Sequence, residues 1–273
     1  MQFKNILIGK FSWKRVMSSL ILIPLFVYLL LGIVAYFLAD RLIFQPQPPF
    51  YSETDSTLKL AAPGGEKISA KFFVNDSARF TILFSHGNAE DIFGSEPFFE
   101  KLRDAGFNVF AYDYRGYGMS DGAPSEQNAY EDAEAAYNYL VNELKIAPEK
   151  IIIHGRSLGA AVSIDLAARK KCAGLVAESA FLTAFRVLTR YPVYPFDKFH
   201  NLSKIKKVVC PKLFIHGRKD ELIPFWHGER LYAEASEPKF HYWLDAAGHN
   251  NVSSAGGNAY LQAIRDFADN LPK

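Results

Sequence analysis

Residues 151–159 read Ile-Ile-Ile-His-Gly-Arg-Ser-Leu-Gly, and the fold class of the chain follows from this stretch. The apolar start predicts a buried strand, and the small and apolar residues 160–168 predict a helix. Between a strand and a helix, Gly-x-Ser-x-Gly is typical of a nucleophile elbow, a sharp turn that exposes a serine hydroxyl. Gly155 and Gly159 leave room for that turn because they lack a Cβ. The stretch therefore predicts that Ser157 is catalytic; an idle serine in a tight turn is the alternative.

A serine nucleophile needs a base and an acid that orients the base, and candidates for both lie downstream. Asp220 follows the apolar run 212–217, and His249 follows the strand candidate 241–244. Both positions come just after the carboxyl ends of predicted parallel strands, where open α/β sheets build their sites. The sequence predicts a triad of Ser157, Asp220 as orienting acid and His249 as general base.

Other acids and histidines compete for these two roles. Glu221 neighbours Asp220, but we expect its side chain to point elsewhere in the same turn, and we expect Asp245 to serve its own loop or to cap the following segment. The remaining histidines lie in strands, at strand ends or in connecting segments: His86, His154, His200, His216, His227 and His241. Only His249 combines the required chain order with a Gly-His loop near the C-terminus.

The loop after an early strand candidate predicts an oxyanion hole. Residues 79–85 form a largely apolar strand candidate that leads into His-Gly-Asn-Ala at 86–89. Folds of this type take one donor from such a loop and the other from the residue after the nucleophile. The predicted donors are therefore the backbone N–H groups of Asn88 and Leu158, and Gly87 lets the loop backbone approach a substrate.

These motifs carry a resemblance to a known family. The match consists of Ser-His-Gly-Asn-Ala at 85–89, Ala-Tyr-Asp-Tyr-Arg-Gly-Tyr-Gly at 111–118, the elbow, Ile-His-Gly at 215–217 with Asp220, and Gly-His-Asn at 248–250. In this order they resemble the α/β-hydrolase superfamily and, more narrowly, membrane-tethered alpha/beta-hydrolase-domain serine hydrolases, a group that includes protein depalmitoylases. The resemblance covers residues from about 58 to the C-terminus and implies the same triad.

The N-terminus differs from that group. Depalmitoylases of this type are tethered through a palmitoylated, cysteine-rich N-terminus, whereas this chain has no cysteine before Cys172. Residues 16–39 are instead apolar and uncharged, and at ~1.5 Å per residue they reach roughly 36 Å, enough to cross a bilayer. Lysines and arginines concentrate in residues 1–15, which predicts a cytoplasmic N-terminus and a catalytic domain on the other side. A cleaved signal peptide is the alternative, but the apolar run is long and lacks a good cleavage site.

The rest of the chain predicts one catalytic domain. Residues 40–56 are a proline-rich linker, expected to be an extended spacer, and residues 57–273 form the domain, with a short aromatic lid at about 180–208. Strand candidates alternate with helical periodicity, clearest at 129–144, which predicts an α/β fold with helices on both faces of a mostly parallel sheet of about eight strands. The strand candidates lie around 58, 68–74, 81–85, 109–112, 151–153, 175–177, 213–215 and 242–244.

Composition limits the partners. With 31 Lys and Arg against 29 Asp and Glu, the chain has no strong charge imbalance to favour nucleic acid. Cys172 and Cys210 precede neighbouring strand candidates; we expect two buried free thiols, and a disulfide stays open. No metal-binding spacing occurs, and the triad requires no cofactor.

The triad beside a membrane helix predicts a hydrolase of acyl or lipid-like esters or thioesters. An amide or peptide hydrolase and a catalytically silent binding module are the alternatives.

Overall fold

The computed structural model describes residues 12–52 and 57–272. The chain divides into two compact units, Met1–Ala39 and Asp40–Lys273, which are described separately. Most of the predicted basic N-terminal segment, as far as residue 11, and residues 53–56 of the predicted linker lie outside the described residues.

The first unit consists, where it is described, of a single long helix. Helix α1 runs from Trp13 to Ile43, so its last turn belongs to the second unit. An 18-residue window of α1 has a mean hydropathy of 2.6, and none of that window is buried. By length and composition α1 is a candidate membrane span, and the predicted apolar helix at 16–39 is confirmed as a helix.

The second unit is built on an eight-stranded sheet in the order β1-β2-β4-β3-β5-β6-β7-β8. Strand β2 pairs antiparallel with both its neighbours, and every other pairing is parallel. The predicted α/β-hydrolase fold with a mostly parallel sheet is confirmed. The strands are β1 Leu58–Ala61, β2 Lys67–Phe73, β3 Thr81–Ser85, β4 Asn108–Tyr112, β5 Ile151–Arg156, β6 Gly174–Glu178, β7 Lys212–Gly217 and β8 Lys239–Leu244.

Helices cover both faces of the sheet because the buried strands are apolar on both sides. In β3, Leu83 belongs to one hydrophobic core, while Ile82 and Phe84 belong to the other. The first core takes in α3, α4 and α6, and the second takes in α2 and α7. The helices are α2 Glu96–Asp104, α3 Glu126–Asn142, α4 Leu158–Arg169, α5 Asn201–Lys204, α6 Trp226–Glu234 and α7 Val252–Asp269, with single 3-10 turns at Pro148–Lys150, Phe185–Val187 and Ile205–Lys207.

Arg115 has an architectural role in the loop after β4. Its side chain is buried and donates from Nε to Asp132 Oδ1 at 2.8 Å and from a terminal nitrogen to Glu131 at 2.7 Å. The backbone N–H of Arg115 also donates to Asp132 Oδ2 at 2.8 Å. The guanidinium thus fastens this loop to α3.

The two cysteines lie at the same end of neighbouring strands. Both are free thiols, and their sulfurs are 3.2 Å apart. Because β6 and β7 pair in parallel, residues just before the two strands meet at one edge of the sheet.

The segment that follows α1 is packed into the second unit. Phe44 is only 3% exposed and belongs to the first core. The backbone N–H groups of Gln45 and Phe50 donate to side chains of the loop after β3. The prolines in this stretch favour an extended backbone, as the sequence indicates, but the packing of Phe44 is a tertiary property that composition does not reveal.

Candidate active site

The turn at Ser157 has the backbone geometry of a nucleophile elbow. Strand β5 ends at Arg156 and helix α4 begins at Leu158, so Ser157 alone makes the turn, with φ of 56° and ψ of −116°. A non-glycine residue at such an angle costs about 1–3 kcal/mol, so its surroundings must hold it in place. The N–H of Ser157 donates to the carbonyl of Glu178 in the adjacent strand at 2.9 Å, which is one such restraint.

The two elbow glycines are required by close backbone contacts. A Cβ on Gly155 would overlap the carbonyl of Gly159, and a Cβ on Gly159 would overlap the carbonyl oxygens of Ser85 and His86. Gly159 thereby lets the first turn of α4 press against the loop that follows β3. The elbow and the predicted oxyanion loop are in contact for this reason.

The structure brings the three predicted triad residues into one hydrogen-bonded relay. His249 Nε2 lies 3.0 Å from Ser157 Oγ, and His249 Nδ1 lies 2.8 Å from Asp220 Oδ2. The three residues follow β5, β7 and β8 at the carboxyl edge of the sheet, and each is less than a tenth exposed. Since a carboxylate can only accept, Nδ1 carries the proton, which leaves Nε2 free to accept from the serine hydroxyl.

Asp220 is held as an anion by several donors. Its Oδ1 accepts from the backbone N–H of Leu222 at 3.0 Å and of Ile223 at 2.7 Å. Burial alone would raise the pKa of Asp220, but hydrogen bonds from His216, His249 and Ile223 outweigh burial and hold the pKa well below its usual range. The carboxylate therefore stays ionised and fixes the orientation of His249.

The two rival acids lie elsewhere. Glu221 accepts from the backbone N–H of His249 at 3.2 Å rather than from its ring. Asp245 is exposed and pairs with Arg218 Nε at 2.9 Å. Glu221 thus positions the backbone of the histidine loop, and Asp245 pairs with the loop after β7 rather than within its own loop.

The two predicted oxyanion donors lie on the two segments that meet at the contact between elbow and loop. Leu158 is the first residue of α4, and Asn88 lies in the loop after β3. Within residues 12–52 and 57–272 the backbone N–H groups of Asn88 and Leu158 have no hydrogen-bond acceptor. By contrast, the N–H of Gly87 donates to Glu90 Oε2 at 3.1 Å, so that donor is occupied within the loop.

Two polar contacts of the site are not among those predicted from the sequence. His216 Nε2 lies 3.3 Å from Asp220 Oδ2 and 2.9 Å from the carbonyl of Ile223, so a second imidazole contacts the acid. The spacing of four residues between His216, in β7, and Asp220, in the loop after it, is the signal that would have found this contact. Arg156, within the elbow motif, pairs with Glu90 in the oxyanion loop, and no spacing in the sequence indicates that contact.

The predicted lid is partly packed into the core. Phe181, near its start, and Phe199, in its second half, are buried, and Asp197 accepts from Thr183 Oγ1 at 2.6 Å and from the N–H of Phe185 at 2.8 Å. Leu188 and Tyr191 near its middle are exposed. The lid therefore has buried phenylalanines on either side of an exposed apolar centre.

A metal site is a separate question. In the described part of the chain, no group of three or more His, Cys, Asp or Glu side chains is arranged to hold a metal ion.

Comparisons with known proteins identify relatives of the chain. Residues 76–201 match the family described as serine aminopeptidase, S33. Alpha/beta hydrolase domain-containing protein 17B of Homo sapiens is 40% identical over 209 residues, which cover 74% of this chain and 71% of that protein. The 17B protein of Xenopus laevis is 42% identical over 196 residues, covering 70% and 67% of the two chains.

Solved structures support the fold. An esterase of Pyrococcus furiosus superimposes with a TM-score of 0.71 at 19% identity, covering 83% of this chain and 99% of that one. An α/β hydrolase of Vibrio vulnificus gives a TM-score of 0.64 at 23% identity, covering 77% of this chain and 80% of the other. At these identities the likeness extends to the fold alone.

Proposed function

Because this chain belongs to the family of alpha/beta hydrolase domain-containing protein 17, we propose that it is a serine hydrolase that cleaves carboxylic esters or thioesters of acyl or lipid-like compounds. The observation that carries the proposal is the relay from Ser157 Oγ through His249 to Asp220, with both links within 3.0 Å. The relay stands beside two backbone N–H groups that lack intramolecular acceptors in the described chain. A hydroxyl, a base and an anion site in this arrangement are what acyl transfer needs.

The proposed reaction proceeds through an acyl-enzyme. His249 Nε2 takes the proton of Ser157 as Oγ attacks the carbonyl carbon, and the carbonyl oxygen becomes an oxyanion held by the N–H groups of Asn88 and Leu158. The tetrahedral intermediate collapses, and His249 gives its proton to the departing alcohol or thiol. Water then attacks the acyl-serine, with His249 again taking and returning a proton, and releases the acid.

Asp220 supports this cycle electrostatically. Each step that places a proton on Nε2 leaves a positively charged imidazole beside a carboxylate that stays ionised. The ion pair lowers the energy of that state without further rearrangement because the carboxylate is already held by backbone N–H groups.

Replacing Asp220 tests the relay. Asp220→Asn keeps the size of the side chain but removes the charge and the acceptor that orients His249, and we expect kcat to fall by about 10³–10⁴-fold. Glu221→Gln is the matched control, because the amide oxygen still accepts from the His249 N–H, and we expect kcat within about threefold of wild type. Steady-state hydrolysis of an activated ester measures both. Loss of activity in Glu221→Gln with Asp220→Asn intact would assign the acid to Glu221 and contradict the proposed triad.

The substrate class is inferred from the apolar lid and the apolar helix α1. Exposed Leu188 and Tyr191 lie in the lid between segments fixed by Asp197 and by buried phenylalanines. Exposed apolar side chains in the predicted lid favour an acyl chain as the acid part of the substrate.

An acyl series tests that inference. The series consists of acetyl, hexanoyl and dodecanoyl esters and the matching thioesters. We expect kcat/KM to rise roughly tenfold for every two methylenes that the site buries, since each buried methylene contributes ~0.8 kcal/mol. Ser157→Ala is the control for background hydrolysis. A flat series would contradict a lipid-like substrate. Preferred cleavage of the matching anilides would favour the amide hydrolase that the matched family's description names.

Membrane attachment is inferred from α1. Its apolar window is long enough to span a hydrocarbon core, and Lys14 and Arg15 precede it. The bias of basic residues toward the cytoplasm places the N-terminus inside and the catalytic unit on the non-cytoplasmic side, as a single-pass anchor.

Protease accessibility tests the orientation. In spheroplasts of cells that express the full chain, external protease is expected to digest the catalytic unit while a cytoplasmic marker protein stays intact. Protection of the catalytic unit until the membrane is dissolved would contradict this orientation. Recovery of intact full-length chain in the membrane fraction distinguishes an uncleaved anchor from a cleaved signal peptide.

A further inference from the structure

The segment between α1 and the sheet contacts the predicted oxyanion loop at both of its ends. We call residues 40–51 the stem and residues 87–92 the oxyanion loop. At one end of the loop, Asn88 Nδ2 donates to the carbonyl of Ile43 at 2.7 Å, and Asn88 Oδ1 accepts from the N–H of Gln45 at 2.9 Å. At the other end, Asp91 Oδ2 accepts from the N–H of Phe50 at 2.8 Å. The stem thus holds the loop at two points.

The contacts at Asn88 use every polar group of its side chain. Beside the two stem contacts, Asn88 Oδ1 accepts from Tyr117 Oη at 2.5 Å and from the N–H of Ala89 at 3.1 Å. Ile43 is the last residue of α1, so no backbone N–H one turn further along the helix donates to its carbonyl. The side-chain amide of Asn88 donates to that carbonyl instead. The side chain of Asn88 is therefore fixed on both its oxygen and its nitrogen.

Apolar packing and hydrogen bonds both hold the stem in place. The ring of Phe44 is buried, with its centre 6.4 Å from that of Tyr117 and 6.0 Å from that of Phe199. Asp40 accepts from Lys198 Nζ at 3.0 Å and from the N–H of Glu126 at 3.3 Å. Tyr51 Oη donates to Asp113 Oδ2 at 2.5 Å, and Asp113 Oδ1 accepts from the N–H of Ile92 at the end of the loop.

We propose that the stem is a positioning element of the active site, which acts through the side chain of Asn88 to hold the Asn88 N–H where the oxyanion forms. The backbone N–H of Asn88 is the proposed donor, and it belongs to the peptide whose carbonyl, that of Gly87, lies 2.7 Å from His86 Nδ1. The stem contacts at Gln45 and Ile43 hold the Asn88 side chain, and so the Cα on the other side of that peptide, in place. This inference rests on the proposed function, because it requires an oxyanion to stabilise.

The expected size of the effect follows from the donor. Complete removal of one oxyanion donor lowers kcat by about 10²–10³-fold. In the variants below, the Asn88 N–H remains in the loop but no longer points at the position of the oxyanion. We expect this loss of orientation to lower kcat by about 10- to 100-fold and to change KM less than threefold, because the donor acts on the transition state.

The experiment uses the full-length protein in detergent micelles and a short-chain activated ester. Phe44→Ala removes the buried ring that seats the stem, and Asn88→Ala removes the side-chain contacts but keeps the backbone N–H. We expect each to lower kcat by about 10- to 100-fold, and the double variant to be no worse than Asn88→Ala alone, because both act through one side chain. Val74→Ala is the control: its side chain is 52% exposed and lies outside the stem and the proposed site, and kcat is expected within twofold of wild type.

A count of reactive active sites separates a loss of kcat from a loss of folded protein. End-point labelling with a fluorophosphonate gives the number of reactive serines, and kcat is expressed per labelled site. If Phe44→Ala does not fold, Tyr117→Phe replaces it: it removes one hydroxyl from Asn88 Oδ1, and we expect a threefold to tenfold loss of kcat. Phe44→Leu, which refills most of the space, is expected to recover most of the activity.

The outcomes separate this inference from the proposed function. Wild-type turnover that survives Ser157→Ala overturns both. Turnover that depends on Ser157 while Asn88→Ala and Phe44→Ala, or Tyr117→Phe in its place, keep kcat within twofold overturns the stem inference alone. A double variant whose loss equals the product of the single losses shows that the stem does not act through Asn88, and also overturns it.

Discussion

The backbone turn at Ser157 is the constraint on which the rest of the site depends. A serine at φ of 56° is strained, and the turn persists because its N–H is bonded to β6 and because two glycines allow close contact on either side. Gly159 carries the constraint further, since α4 can press on the loop after β3 only where no Cβ intervenes. Nucleophile, helix N-terminus and oxyanion loop are therefore fixed by one local geometry.

Electrostatic interactions orient the base and the oxyanion loop around the turn. Asp220 is buried, yet backbone N–H groups and two imidazoles hold its pKa low, so a permanent negative charge faces His249. Arg156, the residue before the nucleophile, pairs with Glu90 and ties the elbow to the oxyanion loop. The proposed chemistry thus takes place between two sets of groups that are oriented before a substrate arrives, which is the condition for strong transition-state stabilisation.

The sequence predicts the sheet and the positions of the triad because both follow from local patterns. Apolar runs mark the buried strands, and Ser157, Asp220 and His249 each follow one, so parallel pairing brings them to one edge. The roles of His216 and of the Asn88 side chain depend on which distant segments meet, and neither periodicity nor composition encodes that. The stem is the clearest case: its prolines indicate extension, but only packing reveals that Phe44 is buried and that its backbone holds the loop after β3.

Site-resolved labelling of the full-length protein with a fluorophosphonate, beside its Ser157→Ala variant, decides whether Ser157 is an activated nucleophile. We expect one label per wild-type chain, mapped by peptide mass spectrometry to Ser157, and none in the variant at equal thermal stability. Such a reagent phosphonylates only a serine whose hydroxyl is activated by a neighbouring base. No label on a folded wild-type chain, or a label on another serine, would contradict the proposal that the Ser157–His249–Asp220 relay is a working active site.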